Sequence, residues 1–242
     1  MSARAVAPKT KLDQWICLWS IPVFYNLFGL IFVYLARLMP PPSPNLTTAE
    51  KVEFIRTHAP NLQAAMVILM LSLGLASLTN GLVVVQMKRM EGVGHWLPYG
   101  YLAALATAAL PGCLFCGFMF SLATFRPDRD PEIIAMLYDA GMLSFVGSLG
   151  VFIVQYLMFG IAVFLDKREV FPKWFGYMSI WALVTELVAG PIWIFRTGPF
   201  AWDGLLAFYQ GTIIFVAWQT CQTVLLAKAI KRQQLEEAAV AA

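Results

Sequence analysis

Glu186 is the side chain of this sequence best placed to do chemistry. It falls near the centre of an apolar run, with Thr185 before it and Gly190-Pro191 about one turn beyond it. A charged group at such a depth in lipid costs roughly 2.5–3.5 kcal/mol or more, so it turns toward the protein interior or a water-filled path. Pro191 lacks an N–H, which frees a backbone carbonyl on the preceding turn and kinks the helix close to the carboxyl group. Counting inward from the ends of other apolar runs brings Asn26 and Gln155 to similar depth, and Gln219 about one turn nearer one end. Together with Tyr25, Tyr156, Trp181 and Tyr209, these residues compose a candidate pocket for a small, mostly apolar ligand, oriented by the acid and the amides. Phe24, Phe28, Phe152, Phe208 and Phe215 fall where they would complete its walls. The competing reading gives the amides no ligand at all, only interhelical hydrogen bonds of about 0.6 kcal/mol each.

Other chemistries are excluded by residue counts. The chain has two histidines, His58 and His95, assigned to opposite sides of the membrane, so they cannot share a metal or a haem. It has no H-E-x-x-H, no phosphate loop ending in Gly-Lys-Ser/Thr, and in Gly92-Val93-Gly94 no third glycine for a dinucleotide site. Every lysine lies in a loop or at a helix end, which leaves no anchor for retinal. Cys113-Leu114-Phe115-Cys116 sits in the middle of an apolar run beside Pro111 and reads as small apolar filler, not as a metal or redox pair. No cofactor, metal site or catalytic residue is assigned, and a partner for Glu186 in acid–base work, such as a His or Asp at the same depth, is missing.

The elements that must position these residues are helices. The chain is 60% hydrophobic and 13% charged, where a soluble domain carries about a quarter charged residues. Six apolar stretches, 15–38, 62–87, 98–125, 141–165, 175–195 and 205–228, are each long enough to cross a hydrocarbon core of ~30 Å. Their lack of alternation excludes barrel strands, so the fold class is an all-α, polytopic transmembrane bundle forming one domain, 1–242. Eleven of the 17 Lys and Arg residues fall on the side holding both termini, which places the termini in the cytoplasm. The first span reads as a retained anchor, because no short apolar core with a small-residue cleavage site precedes it. Loop bias accounts for the net charge of +3, so nothing points to nucleic acid.

Two outer loops carry local signals. Pro40, Pro41, Pro42 and Pro44 forbid helix, and Thr47-Thr48-Ala49-Glu50 reads as a capping box opening a short interfacial helix to about His58. A second interfacial segment, 131–139, lies in an acidic stretch with Asp128, Asp130, Glu132 and Asp139. Within the third span, Gly100, Ala104, Ala108, Gly112 and Cys116 recur every four residues as a shallow ridge for close helix packing, inside the chain or against a second copy.

The segments Arg126-Pro127-Asp128-Arg129-Asp130-Pro131-Glu132 and Phe195-Arg196-Thr197-Gly198-Pro199-Phe200-Ala201-Trp202-Asp203-Gly204-Leu205-Leu206 resemble those of a family of small, uncharacterised bacterial multi-span membrane proteins. The resemblance implies a bacterial inner (plasma) membrane and transfers no functional residue. The second segment reads as a tight outer turn in which Arg196 and Asp203 can pair. Three function classes follow: a transporter or channel for a small lipophilic solute, a non-catalytic membrane subunit forming a homo- or hetero-oligomer, and an intramembrane enzyme using Glu186. The first is the leading expectation, and its partners are the lipid bilayer and a small lipophilic ligand.

Overall fold

The computed structural model of the chain describes residues 11–126 and 128–241, with side chains at 108–111, 149–151 and 241 outside the description. Arg4 and Lys9, counted in the charge bias, lie outside the described residues, as does the side chain of Ala108 in the ridge. The regular structure of the described residues is all helical, and five of the helical runs are long and apolar enough to cross a membrane: Leu12–Leu35, Ala59–Met87, Trp96–Phe125, Lys173–Trp193 and Leu205–Val240.

Most of these runs are interrupted. The first comprises α1 (Leu12–Gly29) and a π-helical turn, Leu30–Leu35. After the proline loop, α2 (Thr48–Thr57) is opened by the expected capping box, with Thr47 N–H donating to Glu50 Oε2 at 2.7 Å. Helices α3 (Ala59–Ser72) and α4 (Leu75–Met87) meet at Leu73-Gly74. Helix α5 (Trp96–Ala104) passes through a π-helical turn, Leu105–Ala109, into α6 (Leu110–Phe125).

The fourth expected span, 141–165, is not one helix. Helix α7 (Pro131–Val146) starts in the outer loop, where Pro131 takes the first helical position and Asp130 accepts the Glu132 N–H at 2.8 Å. It stops at Gly147-Ser148, and α8 (Leu149–Leu165) continues. The carbonyl of Gly147 at this break accepts a hydrogen bond from the Trp193 indole at 3.2 Å. Gly147 leaves room for that ring, because a Cβ there would lie 2.6 Å from Trp193 Cζ2 and 2.5 Å from the Leu143 carbonyl oxygen. Helix α9 (Lys173–Ala189) gives way to a 3-10 turn, Gly190–Trp193, at the expected Gly-Pro. A π-helical turn, Leu205–Tyr209, then opens α10 (Gln210–Ala241), which continues well past the expected end at 228.

Helix α1 packs on α4, α3 on α6, α5 on α8, α6 on α7, and α9 on both α8 and α10. Apolar burial forms two separate clusters. One, toward the end carrying α2, is built around Phe32, Ile55, Leu62, Met66, Phe120, Tyr138 and Met142. The other, toward the opposite end, is built around Tyr101, Tyr156, Phe159, Phe171, Phe175 and Trp218.

The small-residue ridge is used inside the chain. A Cβ at Gly100 would lie 3.4 Å from Met158 Sδ, one at Gly112 only 2.0 Å from Ser148 Oγ and 2.6 Å from its Cβ. Ala104 and Cys116 are buried. At Gly112 the close approach of α6 to the α7–α8 break leaves no room for a side chain.

Polar clamps hold both ends. At one, Asp166 is buried and its carboxylate accepts three backbone N–H groups, from Glu91 and Arg168 at 2.9 Å and from Val170 at 2.7 Å. Lys173 Nζ caps the end of α8 on the carbonyls of Val163, Phe164 and Asp166. Glu236, near the far end of α10, pairs with Arg89 and Arg232 at 2.9 Å each and with Arg168; Lys11 pairs with Glu237 at 2.7 Å. At the α2 end, buried Lys51 reaches Asp139 at 2.7 Å, Trp202 donates to the Pro42 carbonyl at 2.6 Å, and Asn45 donates to the Arg196 carbonyl at 2.8 Å. No ion pair joins Arg196 to Asp203 among the described residues; the turn is held instead by the Leu206 and Ala207 N–H groups donating to the Pro199 carbonyl. Trp202 is buried as this loop's anchor.

Candidate functional site

Between the two apolar clusters lies a cavity of about 220 Å³. Its wall passes through the interruptions of four helical runs: Leu73 before the α3–α4 break, Leu105 in the turn before α6, Val146 and Ser148 around the α7–α8 break, and Ala207 and Phe208 in the turn before α10. Irregular backbone at membrane depth is tolerated only where protein buries it or a cavity receives it, so the breaks and the cavity explain each other. Most of the wall is apolar, and ten of its side chains are aromatic. Phe152 packs edge-on against Phe215 at 5.7 Å between ring centroids, Tyr25 against Phe215 at 5.8 Å, and Tyr156 against Trp218 at 4.9 Å.

Five of the eight expected pocket residues line the cavity: Glu186, Gln155, Gln219, Tyr25 and Tyr156. The expected walls Phe24, Phe28, Phe152, Phe208 and Phe215 line it too. Asn26, Trp181 and Tyr209 lie elsewhere. Asn26 is exposed on the outer face of α1 and donates to the Pro22 carbonyl of its own helix at 2.7 Å; Trp181 is 56% and Tyr209 42% exposed. Each has the expected depth but the wrong side of its helix, since residues one or two apart point in different directions around the axis.

Gln222, which the sequence sets beside Gln219 on a polar stripe of the last span, lines the cavity as well, and so does Tyr101, which sequence reasoning missed. A chain of hydrogen bonds runs from the Tyr25 hydroxyl to Gln219 Oε1 at 3.1 Å, from Gln219 Nε2 to Gln222 Oε1 at 3.2 Å, and from Gln222 Nε2 to the Tyr101 hydroxyl at 3.3 Å. Gln155 Nε2 donates to that same hydroxyl at 2.8 Å. Gln222 lies three residues after Gln219, a helical spacing that marks a shared face; Tyr101 carries no such signal, because only the packing of α5 on α8 brings it in.

Glu186 stands apart from this network. Its side chain is only 5% exposed, yet Oε2 has no hydrogen-bond partner, and the salt bridges among the described residues all involve other side chains. Gln155 Oε1 and the Tyr156 hydroxyl are likewise buried and unpartnered. Leaving a buried polar atom unpaired costs about 1–3 kcal/mol, so three such atoms around one cavity mark a place that the polypeptide alone does not complete. No family model, curated protein or solved structure matches the chain.

Proposed function

We propose that this chain is a multi-pass protein of a bacterial inner membrane that binds a small, mostly apolar solute in the cavity between its two halves and passes it across or into the bilayer. The observation that carries this reading is the largely apolar cavity whose wall holds the unpartnered Glu186 Oε2, Gln155 Oε1 and Tyr156 hydroxyl. Helices interrupted around a midplane pocket are how membrane transporters build solute sites, which supports passage as well as binding. With α7 and α8 together making one crossing, the spans number six and both termini are cytoplasmic. The end rich in Arg89, Arg168, Arg232 and Lys11 then faces the cytoplasm, in keeping with the positive-inside rule. The likeness of its two outer segments to small bacterial multi-span membrane proteins supports the same location.

Fluorine NMR of para-fluorophenethyl alcohol added to the protein in nanodiscs tests the reading. The wild type is expected to give a bound resonance distinct from lipid-partitioned probe. Gly211 lines the cavity and a Cβ there meets nothing within 4 Å, so Gly211→Leu fills the space and abolishes that resonance. A bound resonance that persists in Gly211→Leu, or none in the wild type, contradicts the proposal.

A further inference from the structure

We infer that the solute is a lipophilic amine, an aromatic or alicyclic body carrying a protonated nitrogen that the Glu186 and Gln155 oxygens receive. This rests on the reading of the cavity as a solute site and adds the chemical class. The polar groups of the wall are unevenly used. The amide nitrogens of Gln155, Gln219 and Gln222 each already donate to a neighbour, and the Tyr101 hydroxyl receives two of those bonds. Two oxygens that can accept, Glu186 Oε2 when ionised and Gln155 Oε1, have no partner at all, on side chains each 5% exposed, and the Tyr156 hydroxyl can serve either way.

Charge narrows the class further. No Lys, Arg or His lines the cavity, so the protein supplies Glu186 with no counter-ion there. An anionic solute would add a second negative charge to a poorly solvated space, and a neutral alcohol would satisfy an acceptor without compensating the carboxylate. An ammonium group does both, offering more than one N–H to the spare oxygens through charge-assisted hydrogen bonds. The rings of Tyr156, Trp218 and Phe215 supply faces that attract a cation and apolar contact for its body.

Binding of para-fluorophenethylamine, para-fluorophenethyl alcohol and para-fluorophenylpropionate to the full-length protein in nanodiscs, read by fluorine NMR, tests the inference. The amine is expected to bind the wild type about tenfold or more tighter than the alcohol, and the propionate most weakly. Glu186→Gln is expected to erase the amine's advantage over the alcohol. Equal or better binding of the alcohol or the propionate overturns the inference while the cavity reading stands. An amine preference that survives Glu186→Gln also overturns it, and the absence of any bound probe overturns both. If Glu186→Gln binds neither amine nor alcohol, Glu186→Asp decides: retention of the preference upholds the inference, and its loss overturns it.

Discussion

Two buried carboxylates of this protein show how residue context separates structure from function. Asp166 is 1% exposed and receives three backbone N–H groups, which hold the loop after α8 against Glu91. Glu186 is buried to a similar degree, and its Oε2 receives none. Its prominence was readable from the sequence because an acid inside an apolar run is expensive whatever surrounds it. The role of Asp166 was not, since its partners come from two different loops. Asn26, Trp181 and Tyr209 mark the limit of counting depth, which fixes a residue's height in the membrane but not the direction it faces. A third carboxylate gives a pH prediction. The backbone N–H and hydroxyl of Thr47 both bond Glu50 and hold its carboxyl below the ordinary glutamate range. A carboxyl depressed in the folded state stabilises it above the unfolded value, about 4.3, and loses that contribution as pH falls through the lower folded value. Hydrogen-exchange protection of the Thr47 amide should therefore hold at pH 5 and be lost only below the ordinary glutamate value of about 4.3. In Glu50→Ala that protection should be weak at every pH; unchanged protection in the variant would refute the cap's role.

At the scale of elements, the helix breaks are the informative features. Gly190-Pro191 announces itself, because a missing N–H interrupts the ladder wherever it falls. The breaks at Leu73-Gly74 and Gly147-Ser148 carry no such signal in a sequence that is apolar on both sides. What sustains the break at Gly147-Ser148 is tertiary: the Trp193 indole on the Gly147 carbonyl, and the close seat of Gly112 against Ser148. That seat yields a second prediction. Gly112→Ala puts a methyl where Ser148 already stands and should destabilise the protein by roughly 1–3 kcal/mol in denaturant unfolding. Gly29→Ala, in a helical position whose Cβ meets nothing within 4 Å, should be neutral or stabilising by about 0.5 kcal/mol. Equal effects at the two glycines would show that the packing of α6 on the α7–α8 break is not what fixes it.

For the whole molecule, the sequence carried the class, an apolar bundle of membrane-length helices, and the depth at which polar groups gather. It did not carry the division of the core into two clusters with a cavity between them, which depends on how helices distant in sequence cross. The division has a physical logic. Polar clamps fasten both ends, through Glu236 with its three arginines at one and Lys51 with Asp139 at the other, while four of the helix interruptions lie at the cavity between the clusters. The central claim is that this cavity holds a small lipophilic molecule. A native mass spectrum of the protein extracted gently from its own membrane tests that claim most directly. The wild type should carry a discrete small adduct that Gly211→Leu lacks; bare polypeptide in both spectra, or the same adduct in both, would contradict it.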